Sequence, residues 1–162
     1  MIIVALGSNQ IGPWGNPAKT LRHALAELDR SGIRLIKPSR FLVSSAFGRE
    51  NQPDFVNAVA VVQTHLPPEA LLQRLHAIER AAGRKRALRW GPRTLDLDLI
   101  DYHGLVRPRP HRPQLPHPGI AERLFVLKPL AEVAPRWRHP VTHLSVRMML
   151  RRLRAGSAGD EV

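Results

Sequence analysis

The sequence predicts an α+β domain with a ferredoxin-like βαββαβ core, a mainly antiparallel sheet with helices packed on it, plus additions at the C-terminal end. Three observations carry this expectation. Apolar or alternating runs at 1–6, 33–47, 55–64 and 94–100 are interleaved with two stretches of helical spacing, in the order strand, helix, strand, strand, helix, strand. A length of 162 residues suits one domain with its own core. Five prolines fall between Arg107 and Pro118, after the last predicted strand, so an extended loop leaves the core before any further helix begins.

Each element has a local reason. Residues 1–6 are continuously apolar and stop at Gly7-Ser8-Asn9, as a buried first strand does; the run is too short, and lacks the basic leader, for a signal peptide. Leu21, Ala24, Leu25 and Leu28 recur at helical spacing behind Asn16-Pro17, an N-cap followed by a first-turn proline. Residues 33–37 and about 41–47 read as one interrupted strand. Phe55 to Thr64 is rich enough in β-formers for a central strand. Pro67-Pro68-Glu69 opens a second helix striped by Leu71, Leu72, Leu75 and Ile78, and Gly83 closes it. Thr94 to Ile100 alternates strictly and is a strand. A short helix is expected near 119–123. A last one near 143–153 has Leu144, Met148 and Leu150 inside and Arg147, Arg151, Arg152 and Arg154 outside. The domain is expected over 1–155, with 156–162 a frayed tail.

Composition narrows the function. There is no cysteine, so disulfides and thiolate metal sites are excluded and a cytoplasmic setting is expected. A net charge of +12 draws polyanions: nucleic acid, acidic lipid or a nucleoside triphosphate. Aromatics make up only 5%, and the central strands lack the stacking rings of an RNA-recognition sheet. No apolar stretch is long enough to span a bilayer. These features weigh against nucleic acid and a membrane as partners, and the protein is expected to be a monomer.

Asp96 and Asp98 are the strongest chemical signal. Residues i and i+2 of a strand share a face, so the two carboxylates stand side by side while Leu95, Leu97 and Leu99 enter the core. Adjacent carboxylates repel unless a cation neutralises them, and magnesium favours a few carboxylates plus phosphate oxygens. A solvated face of an amphipathic strand is the plainer alternative. The preceding segment weighs against it: Arg80 to Leu95 holds Arg80, Arg84, Lys85, Arg86, Arg89 and Arg93 and no acid. Such a cationic loop suits a magnesium–triphosphate complex. Trp90 in a polar loop bounded by Gly83 and Pro92 is expected to bury against something. Self-repulsion among these cations is expected to hold the loop open until nucleotide arrives. A metal-dependent phosphohydrolase or a nucleic-acid module remains an alternative on these residues alone.

The motif Gly83-Arg84-x-Arg86 followed by Arg89-Trp90-Gly91-Pro92-Arg93-Thr94-Leu95-Asp96-Leu97-Asp98 resembles the signature of the 6-hydroxymethyl-7,8-dihydropterin pyrophosphokinase family. Further blocks match in the same order over residues 5 to about 135. They are Ala5-Leu6-Gly7-Ser8-Asn9, Gln52-Pro53-Asp54-Phe55-x-Asn57, Leu115-Pro116-His117-Pro118, Arg123-x-Phe125-Val126-Leu127 and Pro129-Leu130-Ala131-Glu132. The resemblance implies diphosphate transfer from ATP to the hydroxymethyl group of 6-hydroxymethyl-7,8-dihydropterin, releasing AMP, in folate biosynthesis. It implies that Asp96 and Asp98 bind two Mg²⁺ ions and that Arg84 and Arg93 stabilise the moving diphosphate. Glu79, Arg86, Trp90, Arg112, His117 and Arg123 are the implied ATP contacts. Phe55 and Phe125 are the implied stacking faces for the pterin, and Asn57 reads its pyrimidine edge. On composition alone, both phenylalanines read as core. Where the family usually has an Arg-Thr pair followed by prolines, this chain has Val43-Ser44-Ser45-Ala46, so backbone contacts to the pterin fall to Ser44 and Phe47. Gly7-Ser8-Asn9 lacks the glycine pattern and lysine of a P-loop and reads as shaping the end of the first strand.

Overall fold

A computed structural model of the chain describes residues 1–44, 54–84 and 94–160, with side chains described as far as residue 156. The elements are β1 (Ile2–Ser8), α1 (Pro17–Leu28), β2 (Ile33–Pro38), β3 (Leu42–Ser44), β4 (Phe55–Thr64), α2 (Pro68–Ala81), β5 (Asp96–Tyr102), a single 3₁₀ turn (Ile120–Glu122), α3 (Leu124–Val133) and α4 (Val146–Asp160). The strands form one antiparallel sheet in the order β2-β4-β1-β5, with β3 also paired to β4. This is the expected α+β, ferredoxin-like arrangement. β2 and β3 lie end to end along β4, and Ser39 fills the gap: its N–H donates to the Val59 carbonyl (2.8 Å) and its Oγ accepts from Val59 N–H (2.9 Å). The interrupted strand expected over 33–37 and about 41–47 is, as far as Ser44, two strands with Ser39 between them; residues 45–47 lie outside the described residues.

Both faces of the sheet are covered, so its strands read as apolar runs where they cross the centre. One core joins Ile2, Val4, Leu6, Leu97 and Leu99 to Leu21, Leu28, Leu71 and Leu75 of α1 and α2. The other joins Ile3, Ala5, Val59, Val61 and Ile100 to Val126, Leu127 and Leu130 of α3 and to Val146 and Met149 of α4. The first core holds the two helices of the βαββαβ unit; the C-terminal additions make the second.

Three local devices fix where elements begin and end. Asn16 caps α1, accepting from Lys19 N–H at 2.9 Å. α2 ends at Gly83, whose φ of +90° suits glycine. There the N–H groups of Gly83 and Arg84 donate back to the carbonyls of Arg80 (3.0 Å) and Glu79 (3.1 Å). This Schellman closure turns Arg84 back over the last helical turn. Ser8 Oγ donates to the Thr94 carbonyl (2.6 Å), tying the end of β1 to the start of β5.

Two expectations need correction. α3 is a helix that sequence periodicity does not reveal, because Pro129 sits inside it and has no N–H to offer the carbonyl one turn back. In α4 the buried methionine is Met149, whereas Met148 is 44% exposed, and the helix begins at Val146 and continues past Gly156 to Asp160. Its basic face is as expected: Arg147, Arg151, Arg152 and Arg154 are all exposed. Among the described residues, no helix is long and apolar enough to cross a membrane.

Candidate active site

The site lies at the end of the sheet where β1, β4 and β5 bring Gly7, Asn57 and Asp96 into one cross-strand row. Side chains at alternate positions share a face. Phe55 and Asn57 therefore project with Val59, and Asp96 and Asp98 with Ile100, toward the face that α3 covers further along. Leu95, Leu97 and Leu99 are at most 3% exposed on the opposite face, as the alternation predicts.

Each aspartate is held by a guanidinium. Arg84 donates to Asp96 Oδ1 at 2.7 Å and also bonds to Glu79; Arg123 donates to Asp98 Oδ2 at 3.0 Å. Glu79 is 1% exposed, and its carboxylate also accepts the Leu97 N–H at 2.9 Å. It occupies the position one turn after Leu75 on the apolar stripe of α2. A carboxylate there must be paired, and it braces α2, β5 and Arg84 together. The expectation that the basic loop lacks acid partners therefore fails at Arg84: its acids come from α2 and β5.

The proline-rich return loop forms the other wall. Arg107 and Leu115 exchange backbone hydrogen bonds of 2.7 and 2.9 Å, and buried Leu115 anchors the loop. The His117 N–H donates to the Ile100 carbonyl at 2.9 Å, laying the segment along β5. His117 Nδ1 accepts from Gly119 N–H at 3.2 Å, which leaves the proton of the neutral ring on Nε2. Burial holds this imidazole below the ordinary histidine value; Asp98 pulls the other way, Arg123 adds to the lowering and Asp96 opposes it.

Two cavities meet at the aspartates. A cleft of about 300 Å³ is lined by Glu79, Arg84, Asp96, Asp98, Arg112 and His117, among others. On the other flank, a small cavity of about 30 Å³ is lined by Gly7, Asn57, Asp96, Asp98, Arg123 and Val126, with Ala5 and Leu6. Among the described residues, none hydrogen-bonds to the half-buried Asn57 side chain. A pocket-lining amide of this kind is available to a ligand.

The expectation that composition alone places Phe55 and Phe125 in the core fails. They are 37% and 45% exposed, although each adjoins a buried valine, Val56 or Val126. Ser44 is half-buried at the end of β3, opposite Phe55 in register. Arg112 is exposed at the cleft rim. The structure thus gathers Glu79, Arg84, Asp96, Asp98, Arg112 and His117 around one cleft, and Asn57 and Arg123 around the adjoining cavity. Phe47, Arg86, Trp90 and Arg93 lie outside the described residues. Gly7 lines the small cavity, although its sequence reading is purely structural; the signal for it is the cross-strand register, which needs the sheet topology. Among the described residues no group of three or more His, Asp or Glu side chains forms a ready-made metal cage.

Residues 3–135 match the family model described as 7,8-dihydro-6-hydroxymethylpterin-pyrophosphokinase. The chain is 45% identical over 139 residues to a 2-amino-4-hydroxy-6-hydroxymethyldihydropteridine pyrophosphokinase of Synechocystis sp., covering 85% of this chain and 68% of that protein. It is 43% identical over 140 residues to the protein of the same name in Pseudomonas aeruginosa, covering 86% and 83%. It is also 39% identical over 145 residues to a folic acid synthesis protein of Pneumocystis carinii, where the match covers 90% of this chain but only 19% of the longer fungal protein.

Proposed function

The chain belongs to the 7,8-dihydro-6-hydroxymethylpterin-pyrophosphokinase family, and from that premise we propose that its two substrates meet across Asp96 and Asp98. The reaction is diphosphate transfer from ATP to the hydroxymethyl group of the dihydropterin, a step of folate synthesis. The hydroxymethyl oxygen forms a bond to the β-phosphorus, the bond from that phosphorus to the oxygen bridging the α-phosphorus breaks, AMP leaves, and the hydroxyl proton is released. The observation that carries the reading is the pair of cavities sharing the two aspartates. The larger, with its arginines and neutral His117, takes the nucleotide; the smaller, with the available Asn57 amide, takes the recognition edge of the pterin.

Asp96 and Asp98 fit magnesium: they give an oxygen-only donor set on one strand face, open to a cleft that admits phosphate and water. Two ions are proposed, supplying, when bound, neutralisation of phosphate charge and polarisation of the phosphoryl oxygens. The remaining work falls to the protein's own groups. Arg84 and Arg123, which pair with the aspartates, turn their guanidinium forks to the phosphates. Glu79 limits how far Arg84 moves. His117 offers Nε2–H as a neutral donor, Arg112 reaches the nucleotide from the rim, and Arg86, Trp90 and Arg93 are assigned to the same half-site by their place in the motif. Asn57 presents a donor and an acceptor to the ring edge, and Phe55 and Phe125 offer exposed stacking faces near it. Ser44 and Phe47 contribute backbone groups. Positioning and charge stabilisation supply most of the rate, as is general for phosphoryl-type transfer.

The test is nucleotide product analysis with and without 6-hydroxymethyl-7,8-dihydropterin. AMP formed only when the pterin is present is the expected result. ADP or phosphate released without pterin would assign the aspartates to hydrolysis instead.

A further inference from the structure

We infer that Gly7 is a positioning residue for pterin recognition: its missing side chain leaves the space that sets the Asn57 carboxamide facing the small cavity. The inference rests on the pterin reading of that cavity and adds a residue to it. In the sheet register Gly7 stands directly between Asn57 on β4 and Asp96 on β5. Directly opposed Cβ atoms in such a row lie about 4.5–5.5 Å apart, so side chains at all three positions would form a closed ridge. With glycine in the centre, the backbones of β4 and β5 stand two strand spacings or about 9–10 Å apart, and the Asn57 carboxamide leans into the space over Gly7, beside the small cavity.

The close contact is specific. A Cβ built on Gly7 would fall 3.0 Å from Asn57 Oδ1, and its next-nearest atoms lie at 4.0 Å. A methyl group at position 7 therefore presses on the recognition amide and on little else. The backbone of Gly7 is ordinary extended strand with no positive φ, so alanine is not strained there by conformation. What glycine contributes at this position is space beside one amide.

The experiment uses the full chain and its Gly7→Ala, Asn57→Ala and double variants. It measures pterin affinity by calorimetry in the presence of magnesium and a non-hydrolysable ATP analogue, the affinity for that analogue alone, and the thermal midpoint. Gly7→Ala is expected to weaken pterin binding about tenfold, on the scale of a misplaced polar contact. It should leave nucleotide affinity and the thermal midpoint close to wild type and raise the KM for pterin more than it lowers kcat. On the Asn57→Ala background, Gly7→Ala should add almost nothing, because the group it displaces is gone. Unchanged pterin affinity in Gly7→Ala would overturn the inference. So would an equal loss on the Asn57→Ala background, which would mean that the added methyl blocks the ring directly. Failure of the wild-type chain to bind pterin at all would instead sink the functional reading beneath it.

Discussion

His117 shows how a single side chain is tuned by its surroundings. Burial lowers its pKa and Gly119 N–H occupies Nδ1, so at neutral pH it is an uncharged donor beside the aspartates. A folded pKa below the unfolded value means that the unfolded chain binds the proton more readily. The stabilisation from this group is complete above the ordinary histidine value of 6.5 and is lost as pH falls through the lower folded value. An NMR titration of the imidazole should give a midpoint below 6.5, and stability should fall less steeply on acidification in His117→Gln than in wild type. A midpoint at or above 6.5 would contradict this account. The paired aspartates are legible in the sequence because strand alternation alone puts them on one face. The exposure of Phe55 and Phe125 is not, since each lies in an apolar run and only the end of the sheet and the first turn of α3 leave them uncovered.

At the scale of elements, the strands and first two helices follow from periodicity and caps, and α3 does not. Its stripe, Val126, Leu127 and Leu130, packs on the sheet and outweighs the hydrogen bond lost at Pro129, a balance visible only once β4 and α3 are seen together. Glu79 is the corresponding case for the site. Its position in line with Leu71 and Leu75 places it on a buried stripe, but the sequence does not name the β5 N–H and the arginine that satisfy it. Replacing it by alanine orphans the buried Leu97 N–H, which costs about 1–3 kcal/mol, and removes one partner of Arg84. Urea unfolding of Glu79→Ala should show a loss of at least that size, accompanied by weaker nucleotide binding. A variant as stable as wild type would mean that α2 and β5 hold together without the brace.

For the whole molecule, the two-sided sheet explains why the site sits where it does. α1 and α2 cover one face and α3 and α4 the other, and the partly exposed polar pair Asp96 and Asp98 stands at one end of β5, whereas Asp101 further along it is buried and bonded to Trp137 Nε1. Part of the basic charge lies on a solvated face of α4 and part on the arginines that meet the aspartates. Charge alone could not separate these uses; the ion pairs do. The central claim is that Asp96 and Asp98 serve the reaction and not the fold, and both carboxylates are partly exposed at the junction of the two cavities. The most direct measurement is pterin-dependent AMP formation by Asp96→Ala and Asp98→Ala, normalised to folded protein by thermal unfolding. The account predicts a loss of at least about 100-fold in each, the scale of removing one transition-state charge contact, with the fold retained. Turnover near the wild-type rate per folded molecule, together with a sharply lowered melting temperature, would show that the pair is structural.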